Sequence, residues 1–283
     1  MGISLNSDLG PVYASAIQGS RSEQQDAVRL RWLADDGAWL IVLADGMGGH
    51  AAGDLASRIA VDSFVGTFAS DRDEGSELET AFKHALEDAN AKIGTVQAMR
   101  PETAGMGTTL VAAHISDQGL RWVSVGDSLL MLYRAGSLKR LNEDHSLRAL
   151  DAQARGGAAA NMLTSALTGA DIHKADLRIK PVAIEKGDLV IVASDGVLSL
   201  PDEQIADILA SVQPAEVDAM TEALIEQVHL KDMPRQDNCT IAMFAPGAPR
   251  RASARRTLRW VAWLGFVVAL AAAAAVAARY YQF

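Results

Sequence analysis

The stretch LIVLADGMGGHAAGD, residues 40–54, contains the sharpest change of character in the sequence. Four apolar residues and Ala44 form a continuous apolar run, which predicts a strand buried on both faces, since a half-exposed strand alternates. Asp45 ends the run, and no Lys or Arg follows it until Arg58. A buried carboxylate needs a partner, so we expect either backbone amides or a cation beside Asp45.

Three glycines follow Asp45 within the same short segment, at Gly46, Gly48 and Gly49. Glycine allows positive φ and lets another group approach the backbone closely, as around a bound ion or a phosphate. An ordinary turn between a strand and a helix would also explain the glycines, so this segment alone leaves both interpretations open.

Composition narrows the class of protein. The 283 residues are enough for one large domain or two small ones, and the single cysteine, Cys239, excludes an intramolecular disulfide and fits a reducing compartment. From residue 250 onward there are six arginines and no acid, so the preceding part is more acidic than the net charge of −9 suggests. So acidic a body argues against nucleic-acid binding.

The C-terminal region contains a candidate membrane anchor. Residues 260–278 are uncharged and would form a helix of roughly 28 Å, close to the thickness of a bilayer. Five arginines precede them and a short tail, 279–283, follows, which predicts a single-pass, tail-anchored protein of the plasma or inner membrane with its body in the cytoplasm. Because the centre of this segment is rich in alanine, a buried or amphipathic C-terminal helix is the alternative interpretation. We therefore expect a domain over 1–245 and a basic linker over 246–259.

Secondary-structure patterns favour an α+β fold. Helical spacing covers 54–70 and 78–93, and strand-like runs cover 108–115, 120–127, 129–136, 188–195 and 238–245. Short connections at 115–120 and 134–139 have the length of hairpins and permit only antiparallel pairing. Because the helices and the strands are each grouped together, we predict layers of helix and antiparallel sheet.

Aspartates recur at the ends of these predicted strands. Asp195 ends a buried run, Asp237 stands just before another, Asp127 ends a third, and Asp26 precedes a short apolar alternation. With Asp45 and few compensating cations, they indicate an oxygen-ligand site for Mg²⁺ or Mn²⁺. Two such ions about 3.5–4 Å apart can lower the pKa of a shared water and direct it at phosphorus.

Eight short motifs give this chain a family resemblance. In order they are QGSRSEQQDA, DGMGGH, GMGTTL, VSVGDS, NEDHSL, NMLTSALTG, VIVASDGV and RQDNCTIAMF. The set resembles the metal-dependent serine/threonine protein phosphatases of type 2C, from residue 10 to about 245. Each motif alone is weak, whereas eight in the family's order are specific.

The resemblance implies an αββα sandwich, in which two antiparallel sheets are flanked by helices and hold a binuclear Mn²⁺ or Mg²⁺ centre at one end. Asp45, Asp195 and Asp237 match the family's carboxylate ligands, and Gly46 matches the residue that offers its backbone carbonyl. The implied reaction is hydrolysis of phosphoserine or phosphothreonine in proteins by metal-activated water. The expected substrates are proteins phosphorylated by a Ser/Thr kinase, and the catalytic domain is expected to be monomeric.

Three further assignments follow from the same resemblance. Asp127 matches the residue associated with a third, more weakly held metal. Asp26 matches the acid of the N-terminal motif, which acts on a metal directly or through water. Arg21 matches the arginine that binds substrate phosphate, and its planar, permanently charged guanidinium suits that role.

Several residues depart from the family pattern. Gln25 stands where Glu is frequent, Leu129 and Ser165 stand where Arg is common, and the segment 144–161 is short, which predicts a reduced surface flap. These departures keep an alternative open, a pseudophosphatase that binds phosphorylated partners as a scaffold. The presence of all three core carboxylates favours an active enzyme.

Overall fold

Two antiparallel sheets form the centre of the protein, for which we describe a computed structural model. The structure describes residues 3–5, 11–49, 51–150, 162–212, 216–231 and 233–247. All of these residues belong to one compact unit.

The strands within the described ranges are short and are numbered in chain order. They are β1 (Ile3–Leu5), β2 (Val12–Ile17), β3 (Asp26–Leu33), β4 (Ala38–Met47), β5 (Gly107–Thr108), β6 (Leu110–Ser116), β7 (Gly119–Val125), β8 (Leu129–Arg134), β9 (Ser137–Arg140), β10 (Asp176–Val182), β11 (Leu189–Ala193) and β12 (Cys239–Phe244). The first sheet has the order β1-β2-β12-β11-β8-β9, and the second has the order β10-β7-β6-β4-β3, with β5 paired to β4.

Helices cover the outer face of each sheet. They are α1 (Ala51–Asp73), α2 (Leu78–Met99), α3 (Leu147–Leu150), α4 (Asp202–Ser211) and α5 (Val217–Leu230). The long helices α1 and α2 pack on the second sheet, and α4 and α5 pack on the first. The predicted sandwich of two antiparallel sheets flanked by helices is therefore confirmed.

The apolar run that opens the sequence analysis shows why the layers form in this way. Alternate side chains of a strand point to opposite faces, so Leu40 and Val42 pack toward α1 and α2. Ile41 and Leu43 pack between the two sheets instead. A strand buried on both faces is what this continuous apolar run predicts, and the structure confirms it.

Most of the predicted elements are found close to their expected places. Both predicted helices correspond to α1 and α2, the five predicted strand runs overlap β5 to β8, β11 and β12, and both hairpins are present. Several elements were not predicted: β1, β2, β9, β10, α3, α4 and α5. The spacing of Met220, Leu224 and Val228 in α5 is helical and was available in the sequence.

One prediction about the key segment is wrong. The strand does not end at Asp45 but continues to Met47, because Asp45 pairs with Asp26 and Gly46 pairs with Thr108. A Cβ atom at Gly46 would lie 2.0 Å from the carbonyl oxygen of Gly53 in α1. Glycine is thus needed here because the helix backbone approaches the strand closely, so the connection between a strand and a helix explains Gly46.

Within the described ranges, the helices are too short or too polar to cross a bilayer. The predicted anchor at 260–278, the tail at 279–283 and the linker beyond Gly247 lie outside the described residues.

Replacement of Phe82 by Ala tests the core between α1, α2 and the second sheet. Phe82 is fully buried, and its ring centroid lies 4.9 Å from that of Phe68. We expect a loss of about 3–5 kcal/mol in the free energy of unfolding, measured by urea denaturation. Met99→Ala, at the exposed end of the same helix, is the control and should change the stability by less than about 0.5 kcal/mol. A loss below about 1 kcal/mol for Phe82→Ala would contradict this core.

Candidate active site

A cleft of about 800 Å³ collects most of the predicted site residues. Asp45 and Gly46 reach it from β4, and Asp127 and Asp195 reach it from just beyond the ends of β7 and β11. Arg21 and Asp237 reach it from loops. The residues that it shares with the predicted set are Arg21, Asp45, Gly46, Asp127, Asp195 and Asp237. Residues at the strand ends of both sheets thus meet in one cleft.

Asp26 lies behind the cleft wall and joins the two sheets. It is the direct partner of Asp45 in the pairing of β3 with β4, and it is buried. The Ser194 hydroxyl donates to Asp26 Oδ2 at 2.8 Å, and the Ser194 Oγ accepts the backbone N–H of Thr240 at 2.9 Å. Among the described residues, Asp26 Oδ1 has no hydrogen-bond partner although it is buried. This oxygen is therefore available to a ligand.

Two threonines that the sequence analysis did not assign hold the backbone of Asp45. The Asp45 N–H donates to Thr109 Oγ1 at 2.9 Å, and the Thr108 hydroxyl donates to the Asp45 carbonyl at 2.8 Å. Thr109 Oγ1 also lies 2.7 Å from Ser128 Oγ, beside Asp127. The motif GMGTTL contained these threonines, but nothing in their spacing indicated their partners.

Arg21 forms an ion pair with Asp237 at the mouth of the cleft. Its Nη2 lies 2.5 Å from Asp237 Oδ2, and the pKa of Arg21 is raised, chiefly by this hydrogen bond. The Arg21 side chain is 55% exposed, so its guanidinium is also open to a ligand. Asp237 Oδ1 accepts the N–H of Asn238 at 2.9 Å, which fixes the carboxylate at the start of β12.

The side chain of Asn238 ties the loop of Arg21 to the site. Its Oδ1 accepts the N–H of Gln25 at 2.8 Å, and its Nδ2 donates to the carbonyls of Gln18 and Glu23 at 2.7 and 3.0 Å. The segment between these residues carries Arg21, so a single buried amide positions the loop next to Asp237. The sequence analysis did not identify Asn238.

Two arginines hold the loop of Asp127 from behind. Arg140 Nη2 donates to the Asp127 carbonyl at 2.9 Å, and Arg148 Nη2 lies 3.8 Å from Asp127 Oδ2. Burial raises the pKa of Asp127, the neighbouring charge of Asp144 raises it further, and the two arginines oppose this rise. These arginines were also missing from the predicted site.

Burial is the main influence on the carboxyl groups of Asp45, Asp195 and Asp26, and repulsion from neighbouring aspartates adds to it. Burial, followed by the charges of neighbouring aspartates, raises the pKa of Asp195 to about 7 and raises that of Asp45 well above its ordinary range. Burial likewise raises the pKa of Asp26 to about 6. Holding several carboxylates charged here is costly unless cations are added.

The donor set fits Mn²⁺ or Mg²⁺. Several carboxylates meet at the cleft, and the buried Asp26 keeps a free oxygen behind it. Such groups are the hard oxygen ligands that these ions prefer. In the part of the chain that the structure describes, no three Asp, Glu, His or Cys side chains lie close enough to enclose an ion as they stand. The fit therefore rests on the chemistry and charge of the donors.

The residues that depart from the family pattern have local structural roles. Leu129 is buried in the core between the first sheet and α4 and α5. The Ser165 hydroxyl donates to the carbonyl of Lys174 at 2.7 Å and accepts the Lys174 N–H at 3.0 Å. A Cβ atom at Gly53 would lie 2.8 Å from the amide carbon of Gln25, so this side chain packs on α1. The predicted reduced flap falls largely in 151–161, outside the described residues.

Comparison with known sequences gives consistent matches. Residues 16–241 match the family model described as Protein phosphatase 2C. Protein phosphatase PhpP of Streptococcus pneumoniae is 32% identical over 256 residues, which cover 86% of this chain and 96% of that protein. Serine/threonine protein phosphatase PstP of Mycobacterium tuberculosis is 33% identical over 190 residues, which cover 64% of this chain and 36% of that protein.

Solved structures match the same part of the chain. The catalytic domain of PstP in complex with two manganese ions is 30% identical, with a TM-score of 0.68 over 83% of this chain and 96% of that one. The serine/threonine phosphatase of S. agalactiae is 28% identical, with a TM-score of 0.70 over 83% of this chain and 98% of that one.

Removal of one charge from the site should stabilise the protein in EDTA. Asp195→Asn relieves repulsion at nearly constant volume, so we expect a gain of about 1–2 kcal/mol at pH 8 by urea denaturation. The stability that the protonated Asp195 carboxyl provides is complete below its unfolded pKa and is lost as the pH rises through about 7. The gain should therefore shrink at pH 5.

With Mn²⁺ present, the wild-type protein should become more stable than Asp195→Asn, because an ion that binds only the folded state stabilises it. The exposed Asp207→Asn in α4 is the control and should have little effect with or without Mn²⁺. If Asp195→Asn destabilised the EDTA-treated protein at pH 8, the repulsive site would be refuted.

Proposed function

The chain belongs to the protein phosphatase 2C family, and because its relatives are named serine/threonine phosphatases, we propose that its cleft hydrolyses phosphoserine and phosphothreonine in proteins. The observation that carries this proposal is the meeting of Asp45, Asp195 and Asp237 with Arg21 in one open cleft. Phosphoester hydrolysis needs negative charge to be neutralised and phosphate to be oriented. Arg21 can orient phosphate, and the aspartates can hold the cations that would neutralise its charge.

Two Mn²⁺ or Mg²⁺ ions are the proposed cofactors. Asp45, Asp195, Asp237 and the carbonyl of Gly46 would hold them, and Asp127 would hold a third ion more weakly. When bound, such ions supply a water of lowered pKa and a Lewis acid for the phosphoryl oxygens. The two-manganese complex of PstP, a relative in structure, supports this choice of metal.

Residues of the chain itself orient the substrate. Arg21 offers a fork of N–H donors to two phosphate oxygens, and its 55% exposed side chain lies at the cleft. Asp26 supports the site from behind, since Ser194 fixes its Oδ2 and leaves Oδ1 for a water or an ion. Thr108 and Thr109 fix the backbone of Asp45, the residue whose side chain would hold the ions.

We also propose that the enzyme is tethered to the cytoplasmic face of a membrane by residues 260–278. Support comes from the apolar sequence of this segment and from the arginines between 250 and 259. The tether would restrict the catalytic domain to substrates near the membrane surface. Anchored phosphoproteins, including kinases of the receptor type, are then the favoured substrates.

Replacement of Asp45 or Asp237 by Asn tests the metal core. Each change removes a ligand charge at nearly constant volume, so Mn²⁺-dependent hydrolysis of p-nitrophenyl phosphate should fall by more than about 100-fold, since loss of even a partner that orients a metal ligand costs 10–100-fold. Asp207→Asn in α4 is the control and should keep full activity. Full activity in either ligand variant would refute the proposed core.

Asp127→Ala separates the third ion from the core pair. Turnover should fall severely while metal counting still finds two ions per chain. Loss of the core pair would instead make Asp127 a core ligand. A wild-type protein that binds phosphopeptides but shows no Mn²⁺-dependent hydrolysis would favour the pseudophosphatase scaffold.

A charge placed in the centre of 260–278 tests the tether. Leu270→Arg costs about 2.5–3.5 kcal/mol in a membrane span, so the variant should shift toward the soluble fraction. Leu270→Val is the control and should fractionate with the membrane. Protease added to intact spheroplasts should leave the wild-type catalytic domain undigested. Digestion from outside would contradict the orientation, and wild-type protein in the soluble fraction would remove the tether.

A further inference from the structure

A second depression lies directly beside the catalytic cleft. Its volume is about 700 Å³, and it shares Ala170 and Asp171 with the cleft as lining residues. We call it the flank groove and define it by Leu86, Glu87, Val123, Asp171, Ile172 and Leu177. A chain that leaves the cleft over this shared wall therefore enters the flank groove.

The wall between the cleft and the flank groove is held in place by α2. Asn90 Oδ1 accepts the N–H groups of Thr168 and Gly169 at 3.0 and 2.9 Å, and Asn90 Nδ2 donates to the carbonyl of Ala170 at 2.7 Å. Gln97 Nε2 donates to the carbonyl of Thr168 at 2.6 Å. These bonds satisfy the backbone of a loop and hold it in one conformation, so the groove is formed before any ligand arrives.

A pair of glycines brings this wall onto the helix. A Cβ atom at Gly169 would lie 2.3 Å from the Cα of Gly94, and Gly169 has a positive φ of 81°. Only glycine fits both requirements. The depth of the flank groove therefore depends on local sequence as well as on the fold.

The floor of the flank groove is apolar and its edge is acidic. Leu86 and Val123 are buried, and Ile172 and Leu177 are half-buried against the core below. Among the described residues, the exposed Glu87 and Asp171 form no ion pair, whereas Lys83 is paired with Glu79 at 2.6 Å. The groove thus offers an apolar floor and two acids that form no ion pair within the described residues, while Lys83, which also lines it, is paired with Glu79.

We propose that the flank groove binds the polypeptide segment next to the phosphorylated residue of the substrate and favours an apolar side chain with a neighbouring Lys or Arg. This inference rests on the proposed function, because it needs a phosphorylated residue in the catalytic cleft. A small phosphate ester does not reach the groove. Selectivity among proteins would then come from this surface, while the cleft recognises the phosphate that all substrates share.

Matched phosphothreonine peptides test the preference. In each pair, one peptide carries Leu and Arg beside the phosphothreonine and the other carries Leu and Glu. One pair has these residues on the N-terminal side of the phosphothreonine, and a second pair has them on the C-terminal side. The full-length chain in mild detergent with Mn²⁺ should show a kcat/KM about threefold to fivefold higher for the Arg peptide on one side, the effect of one exposed charge pair.

Charge reversal at the edge of the flank groove tests whether this edge causes the preference for the Arg peptide. Glu87→Lys should bring the ratio of Arg to Glu peptides to about one, or invert it, whereas Glu226→Lys on the exposed face of α5 makes the same change of net charge and should leave the ratio as in wild type. Ala175→Trp fills the groove from its exposed lip and should raise KM for all the peptides relative to p-nitrophenyl phosphate. Each variant's peptide value is divided by its ester value, which removes any general loss of activity.

The outcomes separate the two proposals. Equal kcat/KM for all wild-type peptides, or the same change in Glu87→Lys and Glu226→Lys, would refute the flank groove while ester hydrolysis still supports the phosphatase. If neither ester nor peptide is hydrolysed, the proposed function fails. Fluorescence anisotropy of the same peptides, carrying a label, then tests whether the flank groove binds them selectively. Equal dissociation constants for the Arg and Glu peptides would refute the groove proposal.

Discussion

The cost of keeping several carboxylates charged in one partly buried cleft is the constraint on which the rest of this structure depends. Asp45, Asp195 and Asp237 line one cleft, and partial burial together with neighbouring negative charge opposes ionisation of the first two. Such a site remains folded only if the surrounding scaffold is rigid enough to carry the cost. The sandwich provides this rigidity, because apolar cores lie between the two sheets and beneath each helical layer.

Hydrogen bonds between the two sheets add to this rigidity. Ser194 leads out of β11 in the first sheet, yet it donates to Asp26 at the start of β3 in the second. Asn238 joins the loop of Arg21 to the start of β12 in a similar way. Apolar packing does not fix the relative position of two sheets as precisely as the proposed metal site needs, whereas directional hydrogen bonds do. These two residues therefore explain how the proposed ligands from separate sheets keep one geometry.

The sequence predicted the layers and the acids because both leave local patterns. The apolar run before Asp45 indicates a strand buried on both faces, and the aspartates stand where predicted strands begin or end. It did not show that β4 continues past Asp45, since that depends on pairing with Asp26 and Thr108 far along the chain. Thr109 and Asn238 were missed for the same physical reason, because a hydrogen bond between distant segments leaves no periodicity in either one.

Selectivity is the property that the catalytic centre cannot supply by itself. In the proposed reaction Arg21 and the cations held by the carboxylates contact the phosphate, which is the same group on every phosphoserine and phosphothreonine, so contacts made only to it bind all substrates alike. Discrimination must therefore come from differences in what surrounds the phosphate. In the described part of the chain, the surface that continues from the cleft is fixed to α2 through Asn90 and Gly169. Under the proposed role of the flank groove, a change in α2 would alter substrate choice without touching the proposed metal ligands.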